Sequence, residues 1–501
     1  MQDRQGGSLS DRRPYALILM TAIALGCGSA VAQGGLAGGQ RGDSGSASNG
    51  SSPSPVNPAA TISTQESFSG SVARGQVRPG SIPLSFKDAI TMALQSNLGL
   101  LLQSDASLTA RGQKWKELSD LLPNVKAAIS ENASQINLAA LGLRFNIPGF
   151  PTVVGPFGFF DARFSVRQTL FDLNIINRVR GASENEKAAR LDYKNARETV
   201  VLATGNAYLQ ALADAARVDS AQAQVATAQA LYSKAFDQQN AGVIPAIDSL
   251  RARVQLQTRQ QQLIVTRNDF AKQKLSLARI IGLPVGQEFA LADKAPYSAL
   301  TPMGLEESLQ RAYTYRSDYL AAVQQVRAAE RFRRAATYQH LPSLSFSGDY
   351  GASGITPGDS HGVMDVAGTL NIPIFTGGKT HSDVLQAEAT LRQSRQQVDN
   401  LRGQIEFEVR SALLDLAAAD EQVQVAQSSV ALANQTLEQA RDRFLAGVTD
   451  NLEVVQAQES VASADESYIS SLYEHNLAKI QLARAIGYAE EGVKQYLGMG
   501  K

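Results

Sequence analysis

The sequence predicts a mainly α-helical chain made of two copies of one unit, each a long antiparallel helical hairpin joined to a pair of two-faced β-strands. Three observations carry this reading. The first is an internal register. Ala241-Gly242-Val243 recurs as Ala446-Gly447-Val448, 205 residues on, and Leu277-Ala-Arg-Ile-Ile-Gly282 recurs as Leu482-Ala-Arg-Ala-Ile-Gly487 at the same offset; a fixed period of this kind signals duplication. The second is a pair of proline-free runs, from about Asn174 to Asn240 and from about Lys379 to Ala446. About 65 residues at 1.5 Å each give roughly 100 Å of helix, longer than an ordinary globular domain needs. The third is a change of period just before each run, where apolar and polar residues alternate, as in a strand with two different faces.

The bulk numbers exclude several classes. The chain has 501 residues with 47 basic and 47 acidic side chains, so nothing points to nucleic acid or a strongly charged partner. Only 6% of residues are aromatic, while Ala and Gln are abundant, which suits long helices. Cys27 is the single cysteine, which excludes an intramolecular disulfide and a cysteine-based zinc cluster. His340, His361, His381 and His475 lack metal-ligand spacing and read as surface or packing residues. There is no nucleophile elbow and no phosphate-binding glycine loop, so an enzyme is not expected and no cofactor is implied.

Residues 1–32 read as an export signal. Arg4, Arg12 and Arg13 supply positive charge, Tyr15 to Gly26 is a short apolar core, and Ala30-Val31-Ala32 is a cleavage pattern that starts the mature chain at Gln33. A second reading makes Cys27 a lipidated terminus after Ala24-Leu25-Gly26; the sequence leaves both open. No later stretch approaches twenty apolar residues, so no membrane helix is expected. Residues 33–83 are rich in Gly, Ser and Pro and read as a flexible arm.

Repeat one occupies 84–284. Ser85 and Asp88 are placed to cap its first helix, and a second helix from about Asn97 to Leu121 stops at Leu122-Pro123. Strands are expected at about 124–136 and 160–171, around a Gly/Pro/Phe loop from Phe145 to Phe159. The hairpin tip lies at 241–248, with Pro245 in the first turn of the returning helix. Repeat two occupies 300–488. Its first helix starts at Thr301-Pro302 with Leu305, Leu309 and Ala312 on one side, and its second runs from about Ser317 to Tyr338. Strands are expected at about 343–350 and 364–375, with a loop from Gly351 to Gly362 between them. The second tip lies at 446–453, where Asp450 and Glu453 read as a capping box. Residues 489–501 form a tail.

The strands carry the functional inference. Asp161, Arg163 and Arg167 lie on one face of their strand, as do Ser343, Ser345, Ser347 and Asp349 on theirs, and apolar side chains fill the other. A two-sheet soluble core of this size would be tiny beside such helices. At about 8–12 residues the strands have the length of a tilted membrane-crossing strand. The apolar face would then meet lipid and the polar face a wet lumen. Four strands cannot close a barrel, and an open edge is not tolerated in lipid, so several chains must pool them.

The ordered set of features, given twice, resembles the TolC-type outer-membrane factor family, the exit ducts of efflux pumps and type I secretion systems. Its carriers run from Leu84 to Gly487. They are the Leu122-Pro123 and Leu341-Pro342 ends, the Phe171-Asp172 and Phe375-Thr-Gly-Gly378 turns, the two Ala-Gly-Val tips and the Leu-Ala-Arg-x-Ile-Gly ends. The resemblance implies a homotrimer whose chains pool four strands each into a twelve-stranded barrel above a periplasmic helical tunnel, with no catalytic activity. It also implies a passive duct served by an inner-membrane transporter through a periplasmic adaptor (membrane fusion) protein. Ala241, Gly242, Val243, Ala446, Gly447 and Val448 would dock that adaptor. Some members close the entrance with aspartates one and two turns past the second tip glycine. Here those positions hold Glu453 and Gln456, matched in repeat one by Asp248 and Arg251. The glutamine departs from the pattern, and an acid in a first helical turn also serves the helix dipole. The rival class is a secreted or periplasmic coiled-coil structural or adhesive protein, which leaves the two matched strand pairs unexplained.

Overall fold

The computed structural model describes Phe68 and residues 70–142, 151–293, 297–298, 300, 303–449, 451–490 and 492, apart from 74, 78 and 285. All of these fall within one compact unit, 61–501. The signal segment, Cys27, most of the arm, Thr301-Pro302, Asp450 and most of the tail lie outside the described residues. In chain order the elements are β1 (Ile82–Leu84), α1 (Phe86–Ser96), α2 (Leu98–Ser119), β2 (Asn124–Asn137), β3 (Val153–Phe171), α3 (Leu173–Asn240), α4 (Ala246–Ile281), β4 (Phe289–Leu291), α5 (Leu305–Tyr315), α6 (Ser317–Tyr338), β5 (Ser343–Gly354), β6 (Ser360–Asn371), α7 (Lys379–Leu445) and α8 (Asn451–Ala485). From α1 to α4 and again from α5 to α8 the order is helix, helix, strand, strand, long helix, return helix.

Local chemistry explains the ends. The Asp88 N–H donates to Ser85 Oγ, and Ser85 Oγ donates to the Asp88 carboxylate at 2.6 Å, which fixes the start of α1. Asp172 caps α3 by accepting from the Asn174 and Ile175 N–H groups. Helix α3 then runs unbroken for 68 residues and α7 for 67. Their buried stripes explain the length. Along α7, Leu391, Val398, Ile405, Ala412, Ala419 and Ala426 are buried at seven-residue intervals, and along α3 so are Ala221, Ala228 and Ala235. That is a coiled-coil seam, with small residues that let the backbones come close.

Four strands form one antiparallel sheet in the order β2-β3-β5-β6. They differ from the expected spans. Strand β3 begins at Val153, inside the expected loop, because Ile136 and Ser134 of β2 pair with Val154 and Phe157 across a register shift. Backbone pairing does not require the alternation that Phe157 and Phe159 break. Strand β6 covers 360–371 and not 364–375: Pro373 has no N–H to offer a ladder, and Gly354 pairs with Ser360. The arm also departs from expectation over its last residues. The Val72 N–H donates to the Ser96 C=O at 2.9 Å, Leu98 N–H to the Gly70 C=O at 3.0 Å, and β1 pairs in parallel with β4. Main-chain hydrogen bonds tie down Gly70, Val72 and Ile82–Leu84 although the stretch is poor in large apolar side chains.

The core lies below the sheet, where α1 and α5 pack on the long helices. Phe86, Ile90, Tyr208, Leu209, Leu277 and Ile480 form one cluster, and Ala312, Ile405, Val409, Leu482 and Ile486 another. The two repeated glycines set this region. Gly282 and Gly487 both adopt left-handed φ, 75° in each case. A side chain at Gly282 would strike Ser96, and one at Gly487 would lie 2.6 Å from the Arg316 N–H nitrogen. Each glycine thus seats the junction between the first two helices of its repeat. At the second junction Arg316 is buried, 2% exposed, and its guanidinium pairs with Asp318 at 2.7 Å and Glu408 at 2.5 Å. Burial pushes the Asp318 carboxyl up, but Arg316 outweighs it and holds the group below its usual range. Glu198 beside it is raised by burial against the pull of Arg484.

Lys479 of α8 is fully buried, with its ammonium donating to the C=O of Ser298 and, at 3.2 Å, to that residue's hydroxyl. Burial pushes the lysine down to about 8 from its ordinary 10.5, against the pull of Asp420. The unfolded chain therefore holds this proton more tightly than the folded one. Stability should rise with pH between about 8 and 10.5. Melting curves across that range check it, and Lys479→Met should flatten the rise.

Candidate functional site

Both hairpins end in the same backbone device. After α3 the Gly242 N–H donates to the Gln239 C=O at 3.0 Å and the Val243 N–H to the Gln238 C=O at 2.8 Å. After α7 the Gly447 N–H donates to the Phe444 C=O at 3.1 Å and Val448 N–H to the Arg443 C=O at 3.0 Å. This is the Schellman closure, and it needs a left-handed residue, here Gly242 at φ 72° and Gly447 at φ 69°. Ala241 and Ala446 cap the helices, and Pro245 stands just before α4, one position earlier than a first-turn proline. Val243 and Val448 are each 69% exposed, so both tips present an apolar side chain to solvent.

The two tips are joined to each other. Asn451 is fully buried and its side-chain amide donates to the Asp248 C=O at 3.2 Å. Beneath them Leu437, Ala440, Phe444, Val454 and Ala457 form a small core with Leu231. Neither this bridge nor its partner was legible in the sequence, because Asn451 reads only as a helix-start residue.

The four candidate entrance residues, Asp248, Arg251, Glu453 and Gln456, separate by environment. The Asp248 carboxylate is buried and pairs with Arg251 at 3.3 Å, while the Arg251 guanidinium is half exposed. Glu453 is partly exposed and pairs with Arg443 across the second tip, also at 3.3 Å. Gln456 is exposed and lines an open groove of about 1080 Å³ between α7 and α8, together with Glu459, Ser460 and Ser463. No sequence pattern singles out Arg443.

In the sheet, cross-strand partners share a face. Lys126, Ser165 and Asp349 fall in one row, and Asn124, Arg167 and Ser347 in the next. Arg163 is ion-paired within this face, to Asp161 at 2.7 Å and Asp349 at 3.1 Å. Arg167 lines a cavity of about 590 Å³ between the polar face and the helix ends, with Asp120 and Ile175 opposite. The other face carries Val125, Ile129, Phe164, Tyr350, Met364 and Val366, all between 59% and 79% exposed. No helix among the described residues is long and apolar enough to cross a membrane.

Comparison with known proteins gives a consistent picture. A family profile described as "Outer membrane efflux protein" matches residues 103–283 and 308–488, once per repeat. The chain is 23% identical over 348 residues to the outer membrane protein TolC of Escherichia coli strain K12, covering 66% of this chain and 70% of that protein. It is 26% identical over 401 residues to the probable efflux pump outer membrane protein TtgC of Pseudomonas putida strain KT2440, covering 75% and 77%. Among solved structures, the CmeC outer membrane channel of Campylobacter jejuni aligns with a TM-score of 0.69 at 17% identity, over 86% of this chain and 95% of that one.

Proposed function

This chain belongs to the outer membrane efflux protein family, and from that premise we propose that it works as a homotrimer, the passive outer-membrane exit duct of a tripartite pump. The observation that carries the reading is the sheet. Among the described residues its apolar face is bare, and its edge strands β2 and β6 each leave one row of backbone groups without a neighbour. Three chains would supply twelve strands and pair every edge, the arrangement lipid demands. The long helices support the same assembly. On α7 Phe407 and Val425, and likewise Leu414 and Leu432, stand 18 residues apart and exposed. Eighteen residues are five helical turns, so they form a straight apolar stripe suited to a helix of the next chain. In a pump the tips would meet a periplasmic adaptor, and the inner-membrane transporter would supply the energy. No catalytic step is assigned to the chain.

Membrane fractionation and planar-bilayer recording test the reading together. The protein should stay with the outer membrane, need detergent after extraction, and form trimer-sized channels. A stable monomer in the aqueous fraction would support the coiled-coil structural protein instead.

The tips give a narrower prediction. Val448→Glu, with Val243→Glu, places charge on the exposed apolar points without touching the Schellman bonds. Adaptor pull-down and drug resistance should fall at least about tenfold, as for a desolvated charge in an apolar contact. Bilayer conductance should stay at the wild-type level.

Three Glu453 side chains around a narrow entrance would favour cations. Glu453→Gln should lower cation preference in bilayers, and Arg443→Gln should raise it by freeing the carboxylate of its ion pair. An unchanged selectivity in both variants would remove Glu453 from the entrance.

A further inference from the structure

The helix turns that adjoin the sheet carry a net positive charge. Residues 106–123, 172–190, 325–342 and 378–396 hold fourteen Lys and Arg against eight Asp and Glu, in a chain whose totals are 47 and 47. Six of those acids are already ion-paired and a seventh, Asp172, caps α3. Six arginines there make no ion pair among the described residues: Arg111 on α2, Arg392 on α7, and a group of four, Arg180 on α3 with Arg327, Arg331 and Arg334 on α6.

Their placement follows from the contacts around them. On α6, Phe332 abuts Gly181 and the Ala335 C=O accepts from Asn174, so that side faces α3. Glu330 and Arg333 pair with Arg395 and Glu388, so another side faces α7. Arg327, Arg331 and Arg334 stand at i, i+4 and i+7, on a stripe between those two sides. On α3, Gly181 faces α6 and Arg180 precedes it by one position. Helices α3 and α6 run antiparallel, and in such a pair the positions just before the facing residues lie on the same side. Arg180 therefore joins Arg327 and Arg334, which precede Ala328 and Ala335.

That side is the one continuous with the apolar face of the sheet. Ile175 lines the cavity on the polar face. It is five residues from Arg180, about 140° around the helix. Tyr338, the last residue of α6, extends the arginine stripe toward the strands, where an aromatic ring suits a membrane boundary. Arg334 is roughly 6 Å and Arg331 roughly 10 Å from that helix end. A headgroup layer extends about 5–8 Å beyond the hydrocarbon, within reach of extended arginine side chains.

The geometry points to Arg180, Arg327, Arg331 and Arg334 as a basic collar that docks anionic phospholipid headgroups in the leaflet facing the helices. The inference rests on the sheet being part of a membrane barrel. Clustered cations without carboxylate partners beside a bare apolar face fit a surface that is both negative and adjacent to hydrocarbon.

The test uses the purified full-length trimer in detergent, titrated with phosphatidylglycerol or phosphatidylcholine and read by native mass spectrometry. The wild type should retain phosphatidylglycerol in preference. Arg180→Gln with Arg331→Gln and Arg334→Gln should cut that preference at least about tenfold, since each cation near an anionic surface contributes about fivefold. The lysine versions of the same three changes should restore most of it. Arg253→Gln with Arg267→Gln, a charge loss far from the sheet, should leave it unchanged. Equal retention of the two lipids by the wild type, or an unaltered preference in the glutamine triple variant, overturns the collar. Channel formation in bilayers, measured on the same samples, keeps that failure distinct from failure of the duct itself.

Discussion

Val366→Arg is expected to stop the protein from assembling in the outer membrane. Val366 sits in the middle of β6, opposite Gly348, and is 59% exposed on the apolar face. An arginine facing lipid at the bilayer midplane costs about 2–4 kcal/mol, and a trimer carries it three times, so the penalty is on the order of 6–12 kcal/mol per assembly. Thr369→Arg is the matched control. Thr369 pairs with Ser345 on the polar face, where an added cation meets water. Outer-membrane trimer, measured by fractionation and by its mobility on gels with and without heating, should fall to background for the first variant and persist for the second. Normal assembly of Val366→Arg would mean that this face does not meet lipid.

The second large effect is expected at Arg316. Its side chain is buried at the α5–α6 junction, beneath Gly487, with Asp318 and Glu408 as partners. Arg316→Ala removes the cation, leaving Asp318, 19% exposed, with only the longer Arg484 ion pair at 3.9 Å and Glu408, 35% exposed, without its ion-pair partner. Breaking a buried ion pair in this way typically costs about 3–5 kcal/mol. Thermal unfolding in detergent should show a marked fall in melting temperature. Adding Asp318→Asn and Glu408→Gln should recover part of the loss, because the stranded charges are then gone. A variant that melts with the wild type would place the charge network outside the folding core.

What the sequence made legible follows from which signals are local. Turn chemistry is local, so the Gly242 and Gly447 tips and the Ser85 cap could be read from a few neighbouring residues, while the Asp172 cap of α3 was not. The strands were legible where alternation is clean, as in Ser343 to Tyr350, and not where Phe157 and Phe159 interrupt it. The inner side of α5 was legible in Leu305, Leu309 and Ala312, but the faces of the long helices were not. Alanine fills both the buried seam at 412, 419 and 426 and much of the solvent side, so its pattern distinguishes neither. Long-range pairs were equally hidden. Arg316 with Glu408 and Asn451 with Asp248 join residues 92 and 203 apart, and no spacing rule brings them together. The two candidate entrance acids show the same limit. Asp248 and Glu453 occupy equivalent places in the two repeats, yet one carboxylate is buried and the other partly open.

That last difference has a consequence for how a partner would count this protein. The two turns close on the same main-chain geometry and offer the same valine, so a binder that recognises shape would find six near-equal footholds around a three-chain assembly. A binder or ion that responds to charge would find three, because only one copy of the unit leaves its acid within reach of water. In the proposed trimer the duplication would thus give one object two symmetries, sixfold to touch and threefold to electrostatics.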